Sequence, residues 1–437
     1  MLQYPKDGRC DCGRVHQAAI DEVVSGSGAL LRLPELIARC GAKKPFVLSD
    51  ESTFAAAGGR VCRILRDAGV EYVSYVLPQA RPEPDEHAVG ACVMHFDDSC
   101  DLILGVGSGV VNDLGKILSR ISGRKYIIAG TAPSMDGYAS ATSSMSRDGL
   151  KISLPTRCAD IIVGDTDVLK QAPEQLLRAG LGDMLAKYVS IAEWRIAHLI
   201  TGEYYCEHVA QLVRGALRRC TDNAEGLLRR EDGAVQAVFD GLVTGGVAMA
   251  YAGVSRPASG VEHYFSHVWD MRALEFGTPC ELHGIQCAVG TLTAVRLYET
   301  LRTMKPDAAR AEAYAAAFDY ADWAAQLRGF LGKSAQSMIE LEKTEKKYDR
   351  QAHAARFRTI CAHWDDILRI LDEELPRSEE LEQLMRSVGL PLSCAELGVD
   401  SPCARMTFKA TKDIRDKYVL SRLAWDLGVL DELCEQL

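Results

Sequence analysis

Up to about residue 165 the chain alternates short apolar runs with stretches of helical spacing, and beyond that point the alternation stops. PFVLSD (45–50), EYVSYVL (71–77), DLILGVGSG (101–109), KYIIAGTAPS (125–134) and DIIVGD (160–165) read as buried strands. The segments between them, such as FAAAGGRVCRILRDAG, place apolar residues at helical intervals. Strand and helix in alternation predict an α/β fold built on a doubly wound parallel sheet. From about Val168 onward only helical spacing remains, through GLGDMLAKYVSIAEWRIAHLI, CAVGTLTAVRLYETL and RDKYVLSRLAWDLGVLDEL. The expected division is an α/β domain over 1–166 and an all-helical domain over 167–437. A length of 437 residues, above the size at which single cores stop growing, agrees with two domains.

Composition excludes some partners. The formal charge of −10 argues against general attraction to nucleic-acid phosphate or anionic lipid, while leaving room for a small anion in a local cationic pocket. No nucleic-acid partner is expected. The N-terminus lacks an apolar leader, and GLVTGGVAMAYAGV is too short and glycine-rich for a membrane span, so the default expectation is a cytoplasmic protein with no membrane span. Fifteen cysteines read as reduced, mostly buried thiols rather than a disulfide framework. The segment Cys10-Asp-Cys12-Gly-Arg-Val-His16 offers two thiols and an imidazole that could seed a metal knuckle. A closed site needs four ligands, however, and no matching Cys-x-x-Cys pair exists.

In DLILGVGSGVVNDLGKILS a strand runs into Gly105, Gly107 and Gly109 and then into a helix carrying Asn112, Asp113 and Lys116. Backbone without side chains approaches a pyrophosphate closely, and the N–H groups opening the helix present partial positive charge to it. The spacing departs from the GxGxxG fingerprint, because Val110 stands where the third glycine belongs, and a tight strand-to-helix turn explains the pattern equally well. Asp50, ending the strand VLSD, is a candidate ribose contact or simply a helix cap. The loop AGTAPSMDGYASATSSM should face the glycine loop, since the carboxyl ends of a doubly wound sheet line one crevice. Thr131, Ser134, Asp136 and Ser140 are its candidate nucleotide and substrate contacts; a polar surface turn is the alternative.

Three of the ten histidines, His263, His267 and His283, fall in one short window. His263 and His267 sit four apart on a predicted helix, so both rings emerge on one face. His283 precedes a helix whose positive end keeps the ring neutral and available as a ligand. Asp183, in the apolar helix of GLGDMLAKY, supplies a carboxylate that is expensive to bury without a cation. Asp183, His263 and His283 together suit Zn, Ni or Fe(II) with an open position, and such a site polarises a substrate oxygen.

Taken in order, GVGSGVVNDLGK, TAPSMDGYAS, GLGDMLAKY, SRPASGVEHYFSH and LHG resemble the glycerol-1-phosphate dehydrogenases of the metal-dependent polyol dehydrogenase and dehydroquinate synthase superfamily, most closely their bacterial AraM-like branch. The resemblance implies a dehydroquinate synthase-like fold, with a nucleotide-binding α/β domain over 1–166 and a metal- and substrate-binding helical domain over 167–437. It places the pyrophosphate loop on Gly107, Ser108, Gly109, Val110 and Val111, with Asp113 in the same helix. The second nucleotide segment falls on Thr131, Ala132, Pro133 and Ser134, a further contact on Ser140, and the adenosine-ribose contact on Asp50. The metal ligands match Asp183, His263 and His283. Asp136, His267 and Asp183 match the substrate-contacting and catalytic positions.

Two departures favour the phosphopolyol branch. Iron-dependent alcohol dehydrogenases carry a histidine where this chain has Lys187, whose charge suits a phosphorylated substrate, and dehydroquinate synthases use glutamate in place of Asp183. The implied reaction is NAD(P)H-dependent, metal-dependent reversible reduction of dihydroxyacetone phosphate to sn-glycerol 1-phosphate, with Ni or Zn as cation and Lys187 or Arg256 attracting the phosphate. Glycerol, another polyol or another small phosphorylated carbonyl compound is the alternative substrate on the same site. Relatives imply a homo-oligomer.

Overall fold

The computed structural model describes residues 10–78, 82–148 and 150–437. It contains two compact units, one formed by 1–184 with 211–254 and the other by 185–210 with 255–437. The last strand ends at Asp165 and everything after it is helical, as the change of period predicts. Compactness nevertheless divides the chain elsewhere than at 166, because helices from 174–184 and 211–254 pack with the sheet unit.

In the first unit six strands form one parallel sheet: β1 (Glu22–Gly26), β2 (Pro45–Asp50), β3 (Val73–Leu77), β4 (Leu102–Gly107), β5 (Lys125–Gly130) and β8 (Ile161–Asp165), in the order β1-β8-β5-β4-β2-β3. An antiparallel hairpin of β6 (Thr142–Arg147) and β7 (Leu150–Pro155) stands apart from it. Five sheet strands fall on the apolar runs, since a strand covered on both faces reads as a near-continuous apolar run. The short EVVSG of β1 and the polar hairpin carry no such run and escape sequence reading. Val47, Leu104, Val106, Ile127, Ala129 and Val163 form the core on one face. Each of the larger ones contributes roughly 1.5–3 kcal/mol of burial.

The chain passes from β2 outward to β3 and then returns to the other side of β2 for β4. That reversal is the topological switch point of the sheet, so Asp50 and Gly107, at the carboxyl ends of β2 and β4, flank the position where such folds bind ligands. The helix Asp232–Ala252 lies over β5 and β8 through Phe239, and a Cβ at Gly164 would come within 2.2 Å of that ring. With 21 residues this helix is long and apolar enough to cross a membrane, which corrects the expectation that its apolar segment is too short; 67% of its apolar window is buried, as for a core helix.

The second unit is all helical. Its centre is the pair Val261–Phe276 and His283–Arg302, which approach so closely that a Cβ at Gly290 would lie 2.7 Å from the carbonyl oxygen of Glu262. Glu193, buried on the helix Lys187–Thr201, accepts the backbone N–H of Val261 at 2.9 Å and of Leu420 at 2.8 Å. One carboxyl group thereby caps two helix N-termini, accepting a backbone donor from each that has no partner within its helix.

Candidate functional site

The glycine loop of the first unit sorts its glycines by task. Gly105 and Gly115 make room for Tyr126, whose side chain a Cβ at either would meet within 2.7 Å, so they serve packing. Gly107 is different: a Cβ there would sit 2.5 Å from Val111, and its absence lets β4 enter the helix Gly109–Ser122 without a gap. Ser108, the N-cap, makes no side-chain capping bond, and the first turn holds no acidic residue. Backbone N–H groups of Gly109, Val110 and Val111 therefore open an uncapped 14-residue helix at the switch point, which is an anion-receptive arrangement.

The second loop is tied to this helix as the sheet geometry predicts. Asn112 donates to the Gly137 carbonyl at 2.9 Å, and the buried Lys116 bonds the Thr142 carbonyl. Lys116 also pairs with Asp113 at 2.9 Å; desolvation pushes the Asp113 carboxyl up against that opposing charge. Asp113, a sequence candidate for the cofactor, is thus committed to the lysine that anchors the loop. Thr131 and Ser134 are buried, Thr131 donating its N–H to Gly107 O, and Ser140 bonds Thr142 through their hydroxyls at 2.9 Å. Tyr138 fixes the segment Ala132–Pro133 by donating to the Ala132 carbonyl at 2.7 Å. Asp50 accepts the Thr53 N–H at 2.8 Å in a capping box, and burial raises its carboxyl.

Asp183 occupies the helix Glu174–Leu185, fully buried, and accepts the backbone N–H of Asp136 at 2.9 Å. Carboxylate oxygens of Asp136 and Asp183 lie within 4.8 Å of each other. What brings them together is Gly180: a Cβ there would stand 1.7 Å from the Pro133 carbonyl oxygen, so the loop rests directly on helix backbone.

In the second unit the three histidines converge. Ring centroids of His263 and His283 are 5.0 Å apart, His267 and His283 5.8 Å, His263 and His267 6.3 Å. His263 is buried and donates through Nδ1 to Glu262 Oε1 at 2.8 Å. Ser266 gives its hydroxyl proton to Gln286 Oε1 at 2.6 Å, so it accepts from His283 Nδ1 at 2.8 Å. Both rings are thereby held as the tautomer whose Nε2 carries the lone pair, the pattern seen around metal-ligating histidines.

Several polar residues here carry no sequence signal. Glu262 and Glu193 are buried carboxylates flanking Gly260, where a Cβ would meet them at 2.7 and 2.6 Å. Burial raises the Glu193 carboxyl, and the Glu262 charge adds to the rise. Ligand atoms of His263, His283 and Cys287 fall within 4.8 Å of one another, as do those of His267, Asp270 and His283. Cys287 follows His283 by one helical turn, which was the available clue.

The cations expected near the phosphate are held in place by hydrogen bonds to the chain. Lys187 is fully buried and donates to the Ala258 carbonyl at 3.2 Å. Arg256 grips Glu203 at 2.7 and 2.6 Å and donates to Tyr418 O at 2.9 Å. With Lys417, which donates to Ser259 O at 2.7 Å, they fix the turn that launches the histidine helix.

The family model for iron-containing alcohol dehydrogenases matches residues 24–173. The chain is 28% identical to a glycerol-1-phosphate dehydrogenase, NAD(P)+, of Halalkalibacterium halodurans, covering 94% of both chains. It is 33% identical to one from Methanosarcina mazei over 63% of this chain and 76% of the relative. Among solved structures, glycerol dehydrogenase of Schizosaccharomyces pombe superposes with a TM-score of 0.62 at 17% identity, covering 97% of this chain and 91% of that one, a likeness of fold. With this fold, these motifs and relatives of that identity and coverage, the chain belongs to the glycerol-1-phosphate dehydrogenase family.

Proposed function

We propose that the protein catalyses the reversible, NAD(P)H-dependent and metal-dependent reduction of dihydroxyacetone phosphate to sn-glycerol 1-phosphate. The observation that carries the reading is the pair of imidazoles, His263 and His283, each oriented through Nδ1 by its own partner so that Nε2 is the ligating nitrogen. Structural packing alone has no need of two such rings with centroids 5.0 Å apart.

The ligand set is Asp183, His263 and His283, with Cys287 and Asp270 as neighbouring donors. Two imidazoles and a carboxylate suit Ni or Zn. The uncapped helix start at Gly107–Val111 and the segment Thr131–Ser134 hold the dinucleotide phosphates, with Ser140 nearby in sequence and Asp50 at the ribose. When bound, the cation polarises the substrate carbonyl and the nicotinamide supplies the hydride. The chain's own groups do the rest. Asp136, fixed through its N–H to Asp183, orients a substrate hydroxyl. His267, half-buried, holds the proton that the new hydroxyl receives. Lys187, locked to the Ala258 carbonyl, contributes positive charge to the phosphate end.

The bacterial branch of the family is supported by coverage, since the Halalkalibacterium relative matches almost end to end whereas the Methanosarcina one matches 63% of this chain. A cytoplasmic setting is in keeping with fifteen cysteines read as reduced thiols rather than as a disulfide framework. A homo-oligomer completes the reading and is checked by light scattering.

The test is NADH oxidation by metal-stripped protein with dihydroxyacetone phosphate, adding Ni, Zn, Mg or Fe(II) in turn and checking the product with a glycerol-3-phosphate dehydrogenase that takes only the opposite enantiomer. Metal-dependent turnover to a product this enzyme refuses establishes the activity. Turnover with dihydroxyacetone or glycerol in preference to the phosphate replaces it with a polyol dehydrogenase.

A further inference from the structure

Residues 10–16 form a second cluster of metal-ligating groups, which the dehydrogenase reading does not use. Gly13 N donates to Cys10 O at 2.8 Å and Cys10 N to Arg14 O at 3.0 Å, closing a tight turn with Gly13 at φ +81°. This turn brings the ligand atoms of Cys10, Cys12 and His16 within 4.8 Å of one another. Cys12 Sγ is 3.4 Å from His16 Nε2. With Zn–S near 2.3 Å and Zn–N near 2.05 Å, the sulfur-to-nitrogen edge of a zinc tetrahedron is about 3.5 Å.

The imidazole is placed as a ligand is placed. His16 is buried, stacks on Tyr251 with centroids 5.5 Å apart, and its Nδ1 lies 3.0 Å from the Tyr251 carbonyl oxygen. A carbonyl only accepts, so Nδ1 carries the proton and Nε2 turns its lone pair toward Cys12. Tyr251 and Ala252 end the helix Asp232–Ala252, where carbonyls lack helical partners; His16 satisfies one and Arg14, at 3.4 Å, the other.

We infer that Cys10, Cys12 and His16 hold a structural zinc ion that clamps the N-terminal turn to the end of this helix. Two thiolates and an imidazole select zinc over the hard cations. The fourth corner takes one further side chain or a water. On binding, the two thiols release their protons to solvent and no redox change occurs.

The experiment measures metal content by mass spectrometry in full-length protein purified with zinc, comparing wild type, Cys10→Ser/Cys12→Ser and His263→Ala. The double variant should lose about one zinc per chain, and His263→Ala should retain that zinc, which separates this site from the catalytic one. Unchanged zinc in the double variant overturns the inference. Should that variant fail to fold, zinc X-ray absorption on the His263→Ala protein decides: a sulfur shell near 2.3 Å is expected, and a first shell of nitrogen and oxygen alone overturns it.

Discussion

His263 donates its Nδ1 proton to Glu262 at 2.8 Å, and the same carboxylate oxygen takes the Gly260 N–H at 2.6 Å. The residue next to the proposed ligand thus sets its tautomer and is itself held by the turn that begins the helix. Replacing Glu262 by Gln should weaken binding of Ni or Zn by roughly 10–100-fold, the usual cost of losing such a partner. Competition against a chromophoric chelator measures it, with circular dichroism confirming the fold; unaltered affinity would remove Glu262 from the metal's surroundings.

Gly180→Ala sets a methyl group 1.7 Å from the Pro133 carbonyl oxygen, which is backbone and has no rotamer to move to. Helix and loop must separate, at a cost of about 3 kcal/mol. Urea unfolding should show that loss together with a raised KM for NADH, because the loop carries Thr131 and Ser134. A variant as stable as wild type would mean that the two backbones are not in contact.

Asp50→Asn keeps an acceptor for the Thr53 N–H while removing the charge. Stability should change by less than about 0.5 kcal/mol, since Asn caps as well as Asp. If Asp50 faces the ribose, relative kcat/KM for NADPH over NADH should rise, because a 2′-phosphate is no longer repelled. An unchanged ratio would leave Asp50 as a cap alone.

Burial raises the Glu193 carboxyl from its ordinary value to about 8. A carboxyl raised in the folded state binds protons there that the unfolded chain does not, so its contribution is fully present below the ordinary value and is lost as pH rises toward 8. Unfolding free energy should therefore slope downward across that window, and Glu193→Gln should flatten the slope while costing about 1–3 kcal/mol for a mismatched backbone donor. Parallel slopes in the two proteins would show that Glu193 is ionised throughout.

Chelation tests the ligand set as a whole. At metal concentrations about 100 times the dissociation constant, binding adds about 2.7 kcal/mol to stability. Melting temperature should fall when metal is stripped and recover on adding Ni or Zn. Protein carrying His263→Ala and His283→Ala should show no recovery beyond that of the N-terminal cluster.

The sequence by itself determined what depends on near neighbours. A strand covered on both faces reads as a near-continuous apolar run, so PFVLSD and DIIVGD announced β2 and β8, while EVVSG and the β6–β7 hairpin announced nothing. Histidines four apart declared a shared helical face, and His283 stands first in its helix as its position before a glycine and an apolar run suggested. Tertiary structure decided the rest. Glu193 acquires its role from Val261 and Leu420, 68 and 227 residues away, and Gly180 from a carbonyl 47 positions earlier. The bonds of Lys187 to Ala258, Asp113 to Lys116 and Arg256 to Glu203 are likewise supplied by folding: two of these partners lie 71 and 53 positions away in sequence. Periodicity records which face of an element is buried; the partner of a buried polar group is chosen by chain segments that only folding brings within 3 Å, a hydrogen-bond distance.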